Sequence, residues 1–250
     1  MFNLAPVPVP DLSGRTVLLT GADRGIGAHL SRCLLDHGAR VIAGTFGRVD
    51  DPSLLAGART IALDVTDPSQ VSDAIEAVGD QLDVLVNNAG IIAPIGHAET
   101  LAVDDLRPAF EVNVLGVHRM ILAALPLLKA SKGTIVNAGT GAATTPMEGW
   151  TAYCASKAAM RMLTQMFAME LAESKVRCTF IGIPPTDTAM QGSIRLAGLN
   201  PISQIAQSDL VSPQVPASVM AWLCSAESKQ RADVLQDVRD DFFRAMMDLP

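Results

Sequence analysis

Two residues of this chain have the types and the spacing for proton chemistry. Tyr153 and Lys157 stand four apart in "YCASK", among small side chains. On a helix, positions i and i+4 share a face, so both would point into one cleft. A free phenol titrates near pH ~10 and is protonated at neutral pH. A neighbouring ammonium favours the phenolate and lowers that value. A phenol tuned in this way donates a proton to a carbonyl oxygen or accepts one from an alcohol. The plainer alternative is a surface pair that decorates a helix. The rest of the chain has to decide between them.

The elements that would position such a pair alternate along the sequence. Apolar, β-rich runs at 15–20, 39–45, 59–65, 82–88, 133–139, 175–183 and 231–238 read as strands. Helical patterns follow Gly25 as far as Gly38, then cover 67–80, 101–130, 150–173 and 215–226. Asp67 is placed to cap the second of these, with Pro68 in its first turn. Residues 184–214, with several prolines and glycines, read as a loop-like lid. Most strands are apolar throughout instead of alternating, which predicts a parallel sheet covered by helices on both faces. No internal repeat or linker interrupts the pattern. One α/β domain over 12–250 is expected, after a proline-rich leader at 1–11.

Composition narrows the function. The 250 residues include 49% hydrophobic side chains, enough for a globular core. The formal net charge of −7 argues against nucleic acid as a partner, since phosphate backbones require a basic surface. Cys33, Cys154, Cys178 and Cys224 form no CxxC pair and no His/Cys cluster, so no metal is expected. Read as reduced thiols, they suggest a cytoplasmic protein. "MFNLAPVPVPDL" lacks a basic n-region, and no stretch is read as long enough to span a membrane.

The first strand runs into "TGADRGIG", Thr20 to Gly27, and then a helix. A glycine past the strand permits a tight turn. Further glycines let backbone N–H groups and a helix N-terminus approach a pyrophosphate. Glycines at such a junction can also be turn formers only. "LDV" places Asp64 at the end of the third strand, and "NNAG" places Asn87 and Asn88 at the end of the fourth. Ligands bind at that edge of a parallel sheet.

"TGADRGIG", "LDV", "NNAG", "EVN" and "YCASK" stand in the order and at the intervals of the short-chain dehydrogenase/reductase family, which the chain resembles over roughly residues 12 to 240. The resemblance implies a single Rossmann-type, doubly wound domain with a seven-stranded parallel sheet. It implies binding of NAD or NADP, and hydride transfer to a carbonyl or from an alcohol. Carried over by motif, the cofactor-binding residues are Gly21, Asp23, Arg24, Gly25, Ile26 and Gly27 in the glycine turn. Thr45, Asp64, Val65, Asn87, Ala89 and Gly90 join them at the strand ends, and Tyr153, Lys157, Ile183 and Thr188 at the nicotinamide end. NAD-dependent members close the second strand with an acid. Thr45 stands there instead, and Arg24, seconded by Arg48, suits a 2′-phosphate, so NADP(H) is favoured over NAD(H). Asp50 or Asp51 would serve NAD if the loop folds back.

The resemblance assigns Tyr153 as the proton donor, Lys157 as its partner and a hold on the ribose, and Asn113 as the group ordering a water toward the lysine. A hydrogen-bonding serine is usual thirteen residues before the tyrosine. Thr140 stands there, keeping the hydroxyl but adding a methyl. Pro184 and Pro185 depart from the usual Pro-Gly after the sixth strand. Met190, Ile194, Leu196 and Leu199 in the lid, with Pro94, Met147 and Trp150, suggest a small-molecule substrate with apolar bulk. A homodimer or homotetramer through helices 101–130 and 150–173 is implied. A catalytically inactive relative and a dehydratase or epimerase remain alternatives, because one fold hosts several reactions.

Overall fold

The computed structural model describes residues 2–247. Met1 and residues 248–250, the ends of the expected leader and domain, lie outside the described residues. The elements are β1 (Thr16–Leu19), α1 (Gly25–Asp36), β2 (Arg40–Thr45), β3 (Arg59–Ala62), α2 (Pro68–Val78), β4 (Val84–Asn87), α3 (Arg107–Phe110) and α4 (Val117–Ser131). After them come β5 (Thr134–Thr140), α5 (Thr151–Glu170), β6 (Arg177–Ile183), α6 (Ala189–Ala197), α7 (Gln214–Leu223), β7 (Leu235–Asp237) and α8 (Asp241–Arg244). All seven strands pair in parallel, in the order β3-β2-β1-β4-β5-β6-β7. The order reverses between β1 and β4, and a crevice opens at their carboxyl ends.

The strands are apolar throughout because both faces are covered. Val17 and Leu19 enter one core with Leu30 and Leu34 of α1 and Val219 of α7. Leu18, between them, enters the other with Met120 and Ile121 of α4 and Phe167 of α5. Each fully buried side chain of this size contributes about 1.5–3 kcal/mol. Asp67 caps α2, accepting from Ser69 N at 2.8 Å, with Pro68 at the first position as expected.

Several boundaries differ from the sequence reading. The lid contains a helix, α6, whose Met190 and Ile194 lie one turn apart and which ends at Gly198 with φ +67°. The prolines that suggested a loop and Gly198 lie outside it, while Gly192 is inside the helix. β7 is three residues long, and Arg231, upstream of it, stacks on Phe242 with its guanidinium 4.3 Å from the ring centre. The run Val103–Ser131 is long and apolar enough to cross a membrane, contrary to the expectation that no stretch is. Its Met120, Ile121, Ala124 and Leu128 are fully buried in the core.

This run is also not one helix. A π-helical turn, Glu111–Gly116, joins α3 to α4, and Gly116 lets it press against Val65. The N-terminal segment packs on the seam of α1 and α7. Leu12 and Val7 are buried there, and Val7 N donates to Ser218 Oγ at 2.9 Å.

Candidate active site

A cavity of about 960 Å³ lies along the carboxyl ends of the strands. Its β1–β4 end is made largely of main chain. Gly21 turns with φ +65°, and a Cβ there would lie 2.8 Å from Ala89 Cα. Thr20 Oγ1 accepts from both Asn88 N and Ala89 N at 3.0 Å, tying the two strand ends together. α1 starts without a side-chain cap, so its first N–H groups are free for an anion. That donor set fits the pyrophosphate of a dinucleotide.

Asp23, Arg24, Gly25, Ile26, Asp64, Val65, Ala89, Gly90, Thr140, Tyr153, Lys157, Ile183 and Thr188 line the cavity as the sequence suggested. Gly27, Thr45, Asn87 and Asn113 do not. A side chain on Gly27 would overlap the Gly21 carbonyl, so this glycine packs the helix onto the turn. Thr45 Oγ1 donates to Ile61 O at 3.2 Å. Asn87 faces the layer beneath α5, donating to Asn137 Oδ1 at 2.8 Å, and Asn137 donates on to Thr164 Oγ1 at 2.9 Å. Asn88 is the residue at the cavity, its Nδ2 donating to Gly21 O at 2.8 Å.

No acid closes β2. Asp23 is buried nearby and accepts from Phe46 N at 3.3 Å, while Arg24, 60% exposed, lies 3.6 Å from its carboxylate. Arg48, Asp50 and Asp51 stay off the cavity wall. Asp51 instead accepts from Ser53 N at 3.0 Å.

The other end is built from buried side chains. On α5, Tyr153, Ser156, Lys157 and Met160 form one buried stripe at helical spacing. The Tyr153 ring meets Trp150 edge-on at 5.8 Å. Lys157 Nζ lies 5.9 Å from the Tyr153 ring centre and donates to Ala138 O at 2.9 Å. A Cβ on Gly90 would crowd Asn113 Oδ1 at 3.2 Å and touch Lys157 Nζ at 3.5 Å. Asn113 itself clamps Ile91, accepting from its N–H at 2.9 Å and donating to its carbonyl at 2.8 Å. It also donates to Ser156 Oγ at 3.0 Å, and Ser156 donates to Tyr153 O at 2.9 Å. Ser156, hidden among the small residues of "YCASK", thus joins the network.

The expected lowering of the phenol does not occur in this state. Burial pushes Tyr153 up to about 12, against a smaller lowering from the Thr140 hydroxyl. Burial also pulls Lys157 down to about 8. In low dielectric, removing water from a charge outweighs what its neighbour returns at this distance. The site therefore holds a protonated phenol across the neutral range. Thr140 Oγ1 accepts from Ala142 N at 3.2 Å, which leaves its own O–H free to donate.

Beyond the phenol, Ile92, Met147, Trp150, Met190, Ile194 and Ile202 make an apolar wall. Pro94 is absent from it, Leu196 is 91% exposed, and Leu199 packs over Gly149. Pro184 and Pro185 do line the cavity, and their carbonyls accept from Thr186 Oγ1 at 2.7 Å and Val211 N at 3.0 Å. Sequence reasoning placed both Asn87 and Asn88 at this edge but carried over Asn87, and it missed Phe2, Phe46 and Arg239 on the wall.

A protonated phenol in an apolar pocket, beside a helix end shaped for pyrophosphate, defines a dinucleotide-dependent oxidoreductase. A profile described as "short chain dehydrogenase" matches residues 15–197. Benzil reductase ((S)-benzoin forming) of Saccharomyces cerevisiae is 31% identical, covering 84% of this chain and 90% of its own length. A 3-ketoacyl-(acyl-carrier-protein) reductase of Brucella melitensis, solved with NADH, superposes with a TM-score of 0.79 at 25% identity, covering 91% of this chain and 98% of its own. A short chain dehydrogenase of Burkholderia cenocepacia, solved with NADP, gives 0.74 at 26% identity, covering 91% and 89%. The chain belongs to the short-chain dehydrogenase family, and it is an NAD(P)-dependent oxidoreductase of the alcohol–carbonyl couple.

Proposed function

We propose that this chain reduces a carbonyl compound with apolar bulk and uses NADP(H) in preference to NAD(H). The observation that carries the reading is the buried, protonated Tyr153 facing the Thr140 hydroxyl at the foot of an apolar wall. Tyr153 gives its proton to the substrate oxygen, which Thr140 holds by a hydrogen bond. Lys157 anchors the cofactor ribose, and Asn113 fixes the Ile91 backbone beside it. The nicotinamide, when bound, supplies the hydride. The uncharged end of β2 and the exposed Arg24 at the cavity mouth support the 2′-phosphate.

A panel of apolar ketones and aldehydes with NADPH and NADH at neutral pH tests this. Oxidation of NADPH, and slower oxidation of NADH, is expected. No oxidation across the panel, or a preference for NADH, would reject it.

The same reading includes a homodimer or homotetramer. Leu122 on α4 and Met162, Met166 and Met169 on α5 are exposed along the two long helices. A monomer by light scattering at micromolar concentration would overturn that part. Four free thiols, with Cys178 and Cys224 buried, support a cytoplasmic setting, which subcellular fractionation checks.

A further inference from the structure

We propose that Arg239 reads a second, uncharged oxygen on the substrate, so that the preferred carbonyl compound is a hydroxyketone or diketone. The inference rests on the reading that Thr140 and Tyr153 hold the reacting carbonyl.

Arg239 follows the end of β7 and reaches back across the end of β6. A Cβ on Gly141 would lie 3.9 Å from its Nη2. Gly141 directly follows Thr140, and consecutive Cα atoms are about 3.8 Å apart. A substrate whose carbonyl oxygen rests on the Thr140 hydroxyl therefore has the guanidinium within its own length.

The guanidinium is fixed in place. Nε donates to Asp237 Oδ1 at 2.7 Å and Nη2 to Asp237 Oδ2 at 2.8 Å. Asp237 is itself set by Arg239 N, at 2.9 Å, and its own N–H donates to Asp240 Oδ2 at 3.0 Å. Gly182 leaves room for this carboxylate, which any side chain there would overlap. A locked fork of this kind loses little conformational freedom on binding.

The pairing also selects the ligand. Asp237 neutralises the cation, so the group offers N–H donors without net charge. Its Nη1 has no hydrogen-bond partner among the described residues. The side chain is 42% exposed, so water serves those donors until a ligand replaces it. A neutral oxygen satisfies them. A carboxylate would meet Asp237 and Asp240 as well. Met147, Trp150, Met190 and Ile194 line the same cavity beside Thr145 and Gln191, and a ketone lacking the second oxygen displaces the water on Arg239 without replacing its bonds.

The test is calorimetric binding to protein loaded with oxidised NADP, in which a ketone cannot be reduced. The probes are acetophenone, its 2-hydroxy derivative and phenylglyoxylate. The wild type should bind the hydroxyketone about tenfold more tightly than acetophenone, the scale of one net hydrogen bond to a charged donor. Arg239→Met, which keeps the apolar stem, should bring that ratio to within about twofold while NADPH affinity holds. Arg239→Lys keeps a charge for Asp237 but not the fork, and gives the same readout should the methionine variant fail to fold. An equal fall for both ketones, no preference in the wild type, or tightest binding of phenylglyoxylate would overturn the inference. Turnover is read separately. If no carbonyl is reduced, the reductase reading falls while the binding ratio still decides Arg239.

Discussion

At the β1–β4 end of the cavity the contacts come from main chain: the turn at Gly21, the uncapped start of α1, and the strand ends tied by Thr20. At the α5 end they come from single side chains, Tyr153 and Lys157 taken out of water and the partly buried Thr140. The first region is fixed by the fold, and only exposed groups such as Arg24 adjust it. The second depends on individual atoms whose proton affinities burial has moved. Changes should therefore cost far more at the second end, and in a different quantity: turnover or pH response instead of cofactor affinity.

The largest effect is expected at the phenol. Tyr153→Phe should lower kcat by about a hundredfold or more, the scale of a lost general acid, with the NADPH dissociation constant unchanged. Thr140→Ala should fall by a similar factor while Thr140→Ser keeps most activity, since only the methyl is gone. A Tyr153→Phe protein with most of its turnover would erase the contrast between the two ends.

Next comes the lysine. Its folded value of about 8 lies below the ordinary 10.5. Below pH 8 both folded and unfolded chains hold the proton, and the fold carries the full cost of a buried charge. Between 8 and 10.5 the unfolded chain holds more protons, so stability rises with pH. Relative to Lys157→Met, the cofactor-free wild type should gain about 3 kcal/mol over that interval. Tyr153, raised in the fold, costs stability only above pH 10 and does so in both proteins. Chemical denaturation from pH 7 to 11 measures the difference, and a flat difference would mean that Lys157 stays charged.

The smallest effect belongs to the exposed arginine. Arg24→Ala should weaken NADPH by about three- to tenfold and leave NADH untouched, because a solvated charge pair contributes little. Equal weakening of both cofactors would make Arg24 part of the main-chain framework.

The sheet was legible because buried parallel strands leave long apolar runs. The glycine turn and the α5 stripe were legible because their spacing encodes their geometry. Asn87 was misplaced by one position: at a strand end neighbouring side chains face opposite ways, and motif matching does not say which. The phenol's shift was invisible because the gap between Tyr153 and Lys157 carries no information about burial. Arg239 was invisible because it joins the site from the far edge of the sheet, about a hundred residues from Thr140 in the chain.

The π-helical turn at Glu111–Gly116 has a consequence for insertions and deletions. An α-helix advances about 100° per residue, so one surplus residue would be a shift of phase, but the wider π turn takes it up and leaves the flanking turns in register. Deleting any single residue from that stretch would let the helix close into ordinary turns. The flanking helices would keep their relative bearing, and the residues inside the stretch would turn instead. Met120, Ile121 and Leu128 would stay in the core, while Asn113 would swing away from Ile91 and Ser156. A point substitution alters one contact here, whereas a one-codon deletion removes the wide turn that presents Asn113. In this stretch, length is less free to drift than composition.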